Sequence, residues 1–425
     1  MDVFKYNGSI ITDMGGNWLI GNGGGTPVDP YNPLNLPPNT VRVRTSDGNP
    51  PIKGKWTTYD TATLVPGTMD VYDVYKNGTD FAHLLQGSTN VTEVLGANTT
   101  NVNNMEFVFY GCSNLTTIQL FDTTNVSSMR CMFSDCSLIS SIPTFNTINV
   151  TNMRQMFFNC TNLTAVPLFD TSNVTNMYDM FVMCTSLTTV PLFDTSNVTT
   201  MYGIFYGCSN LTSVPLFDTS NVTDMYDMFW SCSSLTTIPL FDTSKVTNMR
   251  NTFAGCSSLI NIPTFNTSNV TDMTGMFDNC RSLTSVPLFD TSSVTNMFAM
   301  FRGCSKLNSV PLFDTSKVTN MGGMFNLSGV TTVPLFDTSK VTNMAQMFDE
   351  CSSLTTIPLF DTSSVTIMYS MARNCRNVQS GALALYNQAS TQANPPTNHT
   401  LAFQNCGVDT QTGAAELAQI PSDWK

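Results

Sequence analysis

The sequence predicts an α/β repeat solenoid, a right-handed coil of about twelve repeats of 24 residues. Each repeat is expected to hold a short strand plus a two-turn helix, with a small β cap at the N-terminal end and a mixed cap at the C-terminal end. Three observations carry this. A methionine column recurs at 105, 129, 153 and so on to 368, with one deletion after Phe325, and fixed periods of this length mean stacked coils. Met177, Met180, Phe181 and Cys184 fall at i, i+3, i+4 and i+7, the spacing of a helix face. Leu187-Thr188-Thr189-Val190 is β-prone, and Pro191 after it has no N–H with which to extend a ladder.

The elements follow in chain order. Residues 1–38 hold Gly21-Asn22-Gly23-Gly24-Gly25, then Pro27, Pro30, Pro33, Pro37 and Pro38. That composition buries no core and reads as an extended Gly/Pro-rich attachment arm. Residues 39–78 read as a small β N-cap domain. Thr40-Val41-Arg42-Val43-Arg44-Thr45 alternates, a Ser46-Asp47-Gly48-Asn49-Pro50 turn follows, and residues 56–59 and 69–75 are β-prone. Such a unit covers the open edge of the first coil. Residues 79–375 are the solenoid. A faint first copy keeps its register, since Phe81, Val91 and Val94 lie one period before Met105, Leu115 and Ile118. Thr175 is placed to N-cap the expected helix, and Asp194-Thr195-Ser196-Asn197 makes the corner. Residues 376–425 form the C-terminal cap, with helices expected over 381–388 and 413–419 and half a repeat over 399–406.

Composition excludes several function classes. Charged residues are 11% and the net charge is −12, whereas nucleic-acid binding rests on clustered Lys and Arg. No apolar run is long enough to insert in a bilayer. Met1-Asp2-Val3-Phe4-Lys5-Tyr6-Asn7 lacks the basic and apolar regions of a cleaved signal peptide, and export by that route is not expected.

Two polar columns invite chemistry. Eleven of the thirteen cysteines stand one per coil, from Cys112 to Cys304 and again at Cys351 and Cys375. Metal sites need ligands that converge, so this column reads as small buried hydrophobes. At the shortened coil Leu327 and Ser328 stand in, and Cys131 lies off the column with an exposed position open to it. The Asp column, with Asn146 and Asn266 as substitutes, fits either calcium in a carboxylate-lined turn or an Asx-turn, which Asn makes equally well. The Asx-turn is preferred, and neither cofactor nor metal is expected. Catalysis finds no support: His83 and His399 lie in different modules, and no Gly-rich phosphate loop follows a strand. The Asn-Val-Thr triplets read as corner asparagines rather than glycan acceptors.

The copies differ at the positions just after the Met and Phe columns, which the helical reading turns to solvent. Tyr178, Tyr202 and Tyr226 stack there at one-coil intervals, with Tyr206 and Trp230 nearby and Asp179 and Asp227 beside them. These seven residues are the candidate binding site. Aromatic rings with polar handles suit a sugar or a protein patch. The competing reading is repeat divergence on a solvated face.

The motif Asn-Val-Thr-x-Met-x-x-Met-Phe-x-x-Cys-x-x-Leu-Thr-x-Val-Pro-x-Phe-Asp-Thr-Ser closely resembles the BspA-type leucine-rich repeat, over residues 81–375 or about 70% of the chain. That family occurs in surface proteins of gut and oral bacteria, in mycoplasma lipoproteins and in proteins of phages infecting gut bacteria. The resemblance implies a leucine-rich-repeat-like solenoid and a role in adhesion or surface recognition, and it brings no catalytic residues. Leu36-Pro37-Pro38-Asn39-Thr40 and Gly413-Ala414-Ala415-Glu416-Leu417 also resemble modules of gut-phage repeat proteins. The expected function is therefore a non-enzymatic structural or adhesion protein of a phage virion, the alternative being a bacterial cell-surface adhesin. Its partners would be other virion proteins through residues 1–78 and a host-surface glycan or protein through the repeat surface. Self-association is left open.

Overall fold

The computed structural model describes residues 34–425 throughout, with Asn32 and the backbone of two short pieces, β1 (Lys5–Tyr6) and β2 (Ser9–Ile10), which pair antiparallel. Most of the attachment arm expected over residues 1–38 lies outside the described residues. The chain then forms a five-stranded sheet from β3 (Thr40–Thr45), β4 (Thr61–Leu64), β5 (Val71–Tyr75), β6 (Val91–Asn98) and β7 (Thr117–Ile118), in the order β4-β5-β3-β6-β7. Val41 and Val43 point into the core, while Arg42 pairs with Asp73, and Arg44 with Asp70 and Glu93. β6 and β7 belong to the first two coils and pair in parallel, so the cap sheet runs into the solenoid. Residues 56–59, expected as β-prone, form no strand.

The coils stack as one body, but the expected two-turn helix is absent from them, as is a regular strand at 187–190. Each Met-to-Cys segment is a chain of turns. In the coil of Met177, alternate amides point along the stacking axis: Asp179, Phe181 and Met183 donate to Tyr202, Ile204 and Tyr206 of the next coil, at 3.1, 3.0 and 2.7 Å. The amides between them close local turns, Met180 to Met177, Val182 to Asp179 and Cys184 to Phe181. An α-helix would direct every interior N–H along its own axis and leave neighbouring coils without main-chain bonds. Asp179 and Met183 sit at φ 56° and 58°, and the same two positions are left-handed from coil to coil. That conformation favours Gly, Asn and Asp, which recur there as Gly203, Gly207, Asn251, Gly255, Gly275 and Asn279. The spacing of buried side chains matches a helix face while the backbone does not.

Other columns hold the stack together. Phe181 and Phe205 stack at 5.7 Å between centroids, as their equivalents do along the core, and a second ladder runs through Phe169 and Phe193. The cysteine column is wholly buried, and its thiols donate to carbonyls of the preceding coil, Cys112 to Leu85 and the later ones to Phe, as Cys184 does to Phe157 at 3.0 Å. Burial pushes the Cys112 thiol up to about 12, so these thiols stay protonated donors. Cys131, with an exposed position open to it, is buried instead, at a left-handed turn with φ 53°. Thr175 caps no helix; its hydroxyl donates to the Thr151 carbonyl one coil back. Thr195 is buried and donates to the Asp218 carbonyl one coil ahead, at 2.7 Å. Asp194 accepts the amide and hydroxyl of Ser196, an Asx-turn that holds its carboxyl below the usual range.

The shortened coil closes because Ser328 takes the cysteine's buried place and Gly329 passes beside Ser305, where a Cβ would lie 2.2 Å from the carbonyl oxygen. At the far end the amides of Met368, Ser370, Ala372 and Asn374 pair with a final half-coil at Asn398, Thr400, Ala402 and Gln404. Helices α1 (Ala382–Thr391) and α2 (Gln411–Gln419) cover it, α2 being N-capped by Thr410. Trp424 closes the end, stacked on His399 at 4.1 Å.

Candidate functional site

Stacking at one-coil intervals turns the sequence's isolated tyrosines into a continuous ridge. Tyr178 and Tyr202 stack with centroids 4.4 Å apart and planes 11° apart, and Tyr226 follows Tyr202 at 4.8 Å, tilted by 41°. A guanidinium covers each end, Arg154 at 4.6 Å from the Tyr178 ring and Arg250 at 5.7 Å from that of Tyr226. The faces of the rings are thus occupied by one another and by arginine, and the ridge presents ring edges and hydroxyls. Burial, and then the adjacent Tyr178 hydroxyl, push the Tyr202 phenol well up, so this hydroxyl is a neutral donor at ordinary pH.

Two clefts flank it. One, of about 430 Å³, is walled by Phe158, Tyr178, Val182, Met183, Tyr202 and Tyr206, with Asp179 and Asp227 in its lining. The other, of about 510 Å³, is lined by Tyr202, Tyr226, Thr247, Asn248, Arg250, Thr271 and Asp272. Trp230 packs edge-on against Tyr206 at 4.8 Å and lines neither.

The helical reading turned Asp179 and Asp227 to solvent. Both are instead left-handed turn residues, Asp179 half-buried and Asp227 only 5% exposed. Burial raises both carboxyls to about 6, against the lowering pull of Gln155 and Arg154 on one and of Asn251 and Arg250 on the other. Asp227 Oδ1 has no hydrogen-bond partner. Elsewhere on this face carboxylates are matched from the next coil: Arg302 pairs with Asp278, and Arg373 with Asp349 at 2.8 Å. Gly203 separates the two acids, and a Cβ there would meet Asp179 Oδ1 at 2.2 Å.

Of the seven predicted site residues, six line the clefts, and sequence reasoning passed over Arg154, Arg250, Met183 and Phe158. The arginines were legible, since they continue the tyrosine column one coil to each side. Met183 and Phe158 gave no such signal. Among the described residues no group of three or more His, Cys, Asp or Glu could hold a metal ion, and no helix is long and apolar enough to cross a membrane.

Comparison with known proteins bears on the repeat. A leucine-rich repeat protein from Eubacterium ventriosum is similar at 15% identity and a TM-score of 0.41, over 80% of this chain and 92% of that one. A TLR13–ssRNA13 complex is similar at 11% identity and a TM-score of 0.20, over 73% and 57%. No curated protein matches in sequence. The family model described as "Mycoplasma protein of unknown function, DUF285" matches residues 79–190, 163–259, 212–310, 233–331 and 274–390. Those overlapping matches run the whole length of the coil stack, and the chain belongs to the DUF285 family.

Proposed function

We propose that this protein is a non-enzymatic recognition solenoid of a phage virion, docked through residues 1–78 and binding a protein or a host-surface glycan at the tyrosine ridge. The observation that carries the recognition reading is the unpartnered Asp227 oxygen in the lining of an aromatic-walled cleft. A buried acceptor left without a donor is costly, and a ligand hydroxyl, amide or ammonium would satisfy it. The ridge hydroxyls and the Arg250 guanidinium offer further polar contacts beside apolar walls, the mix found at binding sites.

The virion reading is supported by the thiols. All thirteen cysteines are free and buried, and the column thiols act as hydrogen-bond donors, so the fold assembles with its sulfurs reduced. A cell interior provides that condition, and a virion protein would fold there and leave with the particle. The second reading is a bacterial surface adhesin, and the bacterial source in the family description is compatible with it.

The test is binding of the intact chain, and of residues 39–425, to purified phage particles and to bacterial or mucosal glycans. Particle binding by the intact chain alone supports the docking arm. Failure of both to bind particles, with glycan binding kept, moves the protein to the cell surface. Asp227→Asn and Tyr202→Ala are each expected to weaken ligand binding at least tenfold. Unchanged binding in both would remove the ridge as the site.

A further inference from the structure

A second surface, independent of the ridge, runs the length of the stack. Leucine follows the Pro column in most coils, and its side chain stays in water, at 54 to 62% exposure from Leu168 to Leu240 and again from Leu288 to Leu359. Only Thr144 and Thr264 interrupt the column. The prolines before these leucines are half-exposed, so the result is an apolar ribbon in two stretches of four leucines, parted by the coil of Thr264. Nothing in the stack requires it: Val190 and Phe193, on either side of Pro191 and Leu192, already fill the core. Contiguous exposed apolar surface beyond a few hundred Å² marks an interaction site.

Three observations say what covers it. Eight leucines at this exposure offer roughly 100 Å² each, which sums near the roughly 800 Å² that one partner contributes to a stable interface. They recur once per coil, so only a surface with the same pitch can seat apolar against apolar along the whole ribbon, and a second copy of this chain has that pitch. Charge fixes the direction. An exposed Asp column, Asp170, Asp194 and Asp218 among it, flanks the leucines on one side, and exposed Thr and Ser such as Thr189, Ser213 and Thr237 flank them on the other. Antiparallel docking would bring carboxylate column against carboxylate column. Parallel docking, about a two-fold axis along the stack, brings each carboxylate column against the partner's hydroxyls. In both coils where Leu gives way to Thr, the Asp gives way to Asn, at Asn146 and Asn266, so the two columns change together as one surface.

We propose that two copies of this chain pair side by side along the leucine ribbon, in parallel, with both N-terminal arms at the same end. The full chain should then show twice the monomer mass by light scattering at micromolar concentration. Leu216→Asp with Leu240→Asp should halve that mass and leave the circular-dichroism spectrum unchanged, because both side chains lie outside the core of the single chain. Tyr226→Ser, on the ridge, should keep the dimer. Leu216→Cys should cross-link copy to copy under mild oxidation, since equal residues face each other and the native thiols are buried. A wild-type monomer, or a double variant that keeps the dimer mass, overturns the ribbon as the interface. A dimer in which Leu216→Cys fails to cross-link overturns the parallel pairing.

Discussion

At single residues, this fold depends on backbone conformation more than on side-chain identity. Gly329 exists because the deletion brings the chain against the Ser305 carbonyl, at 2.2 Å from where a Cβ would stand. That obstacle is backbone and cannot swing away, so Gly329→Ala is expected to cost at least about 1–3 kcal/mol in urea unfolding, the scale of overpacking. Gly203→Ala meets a movable carboxylate instead, and its cost is the left-handed φ of 58°, about 1–2 kcal/mol. Asp227 makes the opposite prediction. Its carboxyl is held near 6 in the fold and near 4 in the unfolded chain, so the folded state binds the proton more tightly. Ionisation therefore withdraws stability as the pH rises from about 4 through 6. Asp227→Asn, which keeps a residue suited to a left-handed turn, should be more stable than wild type at pH 8. The two should converge toward pH 4. Thermal midpoints across that range check it, and a constant offset would mean that the carboxyl is not perturbed. The same substitution weakens the binding site, so stability and recognition pull in opposite directions at this residue.

Within a coil, sequence spacing determined which side chains are inside but not how the backbone puts them there. Met177, Met180, Phe181 and Cys184 are all buried, as a helix face requires. A train of turns with two left-handed residues buries the same set and also frees alternate amides for the next coil. The signal separating the two was the run of Gly, Asn and Asp just after the Met and Phe columns. Read as divergence on a solvated face, it is a conformational requirement. Asp179 and Asp227 were thus legible as important, while their burial was not, because a helix model turns them to water. The hydroxyl columns escaped for a different reason. Thr195 looks like a polar corner, yet it is 1% exposed and tied to Asp218 of the next coil. Thr195→Val keeps the shape and strands that carbonyl, at a cost of about 1–3 kcal/mol. Thr195→Ser keeps the donor and should cost less than half as much. Equal costs would show that packing of the methyl, and not the bond, holds the corner.

Across the whole molecule, stability is nearly a sum over neighbours, because each coil touches only the two beside it. Length and ends then have different consequences. Removal of residues 257–280 takes out one full period between Cys256 and Arg281. It rejoins equivalent positions, restores the same amide-to-carbonyl register and leaves both caps in place. That shortened chain is expected to fold, to stay soluble and to unfold in one transition somewhat below wild type. Removal of residues 376–425 takes away the half-coil that receives the amides of Met368, Ser370, Ala372 and Asn374, together with the cover over Met371 and Cys375. The result is a row of unpaired donors above an open apolar core, which is the template for adding another coil. With no coil of its own to add, the chain should recruit another molecule end to end and run as large, concentration-dependent assemblies. Light scattering of the two truncated proteins decides the matter. Aggregation of the internal deletion would mean that coils are not interchangeable, and a well-behaved chain without residues 376–425 would mean that the last coil protects its own edge.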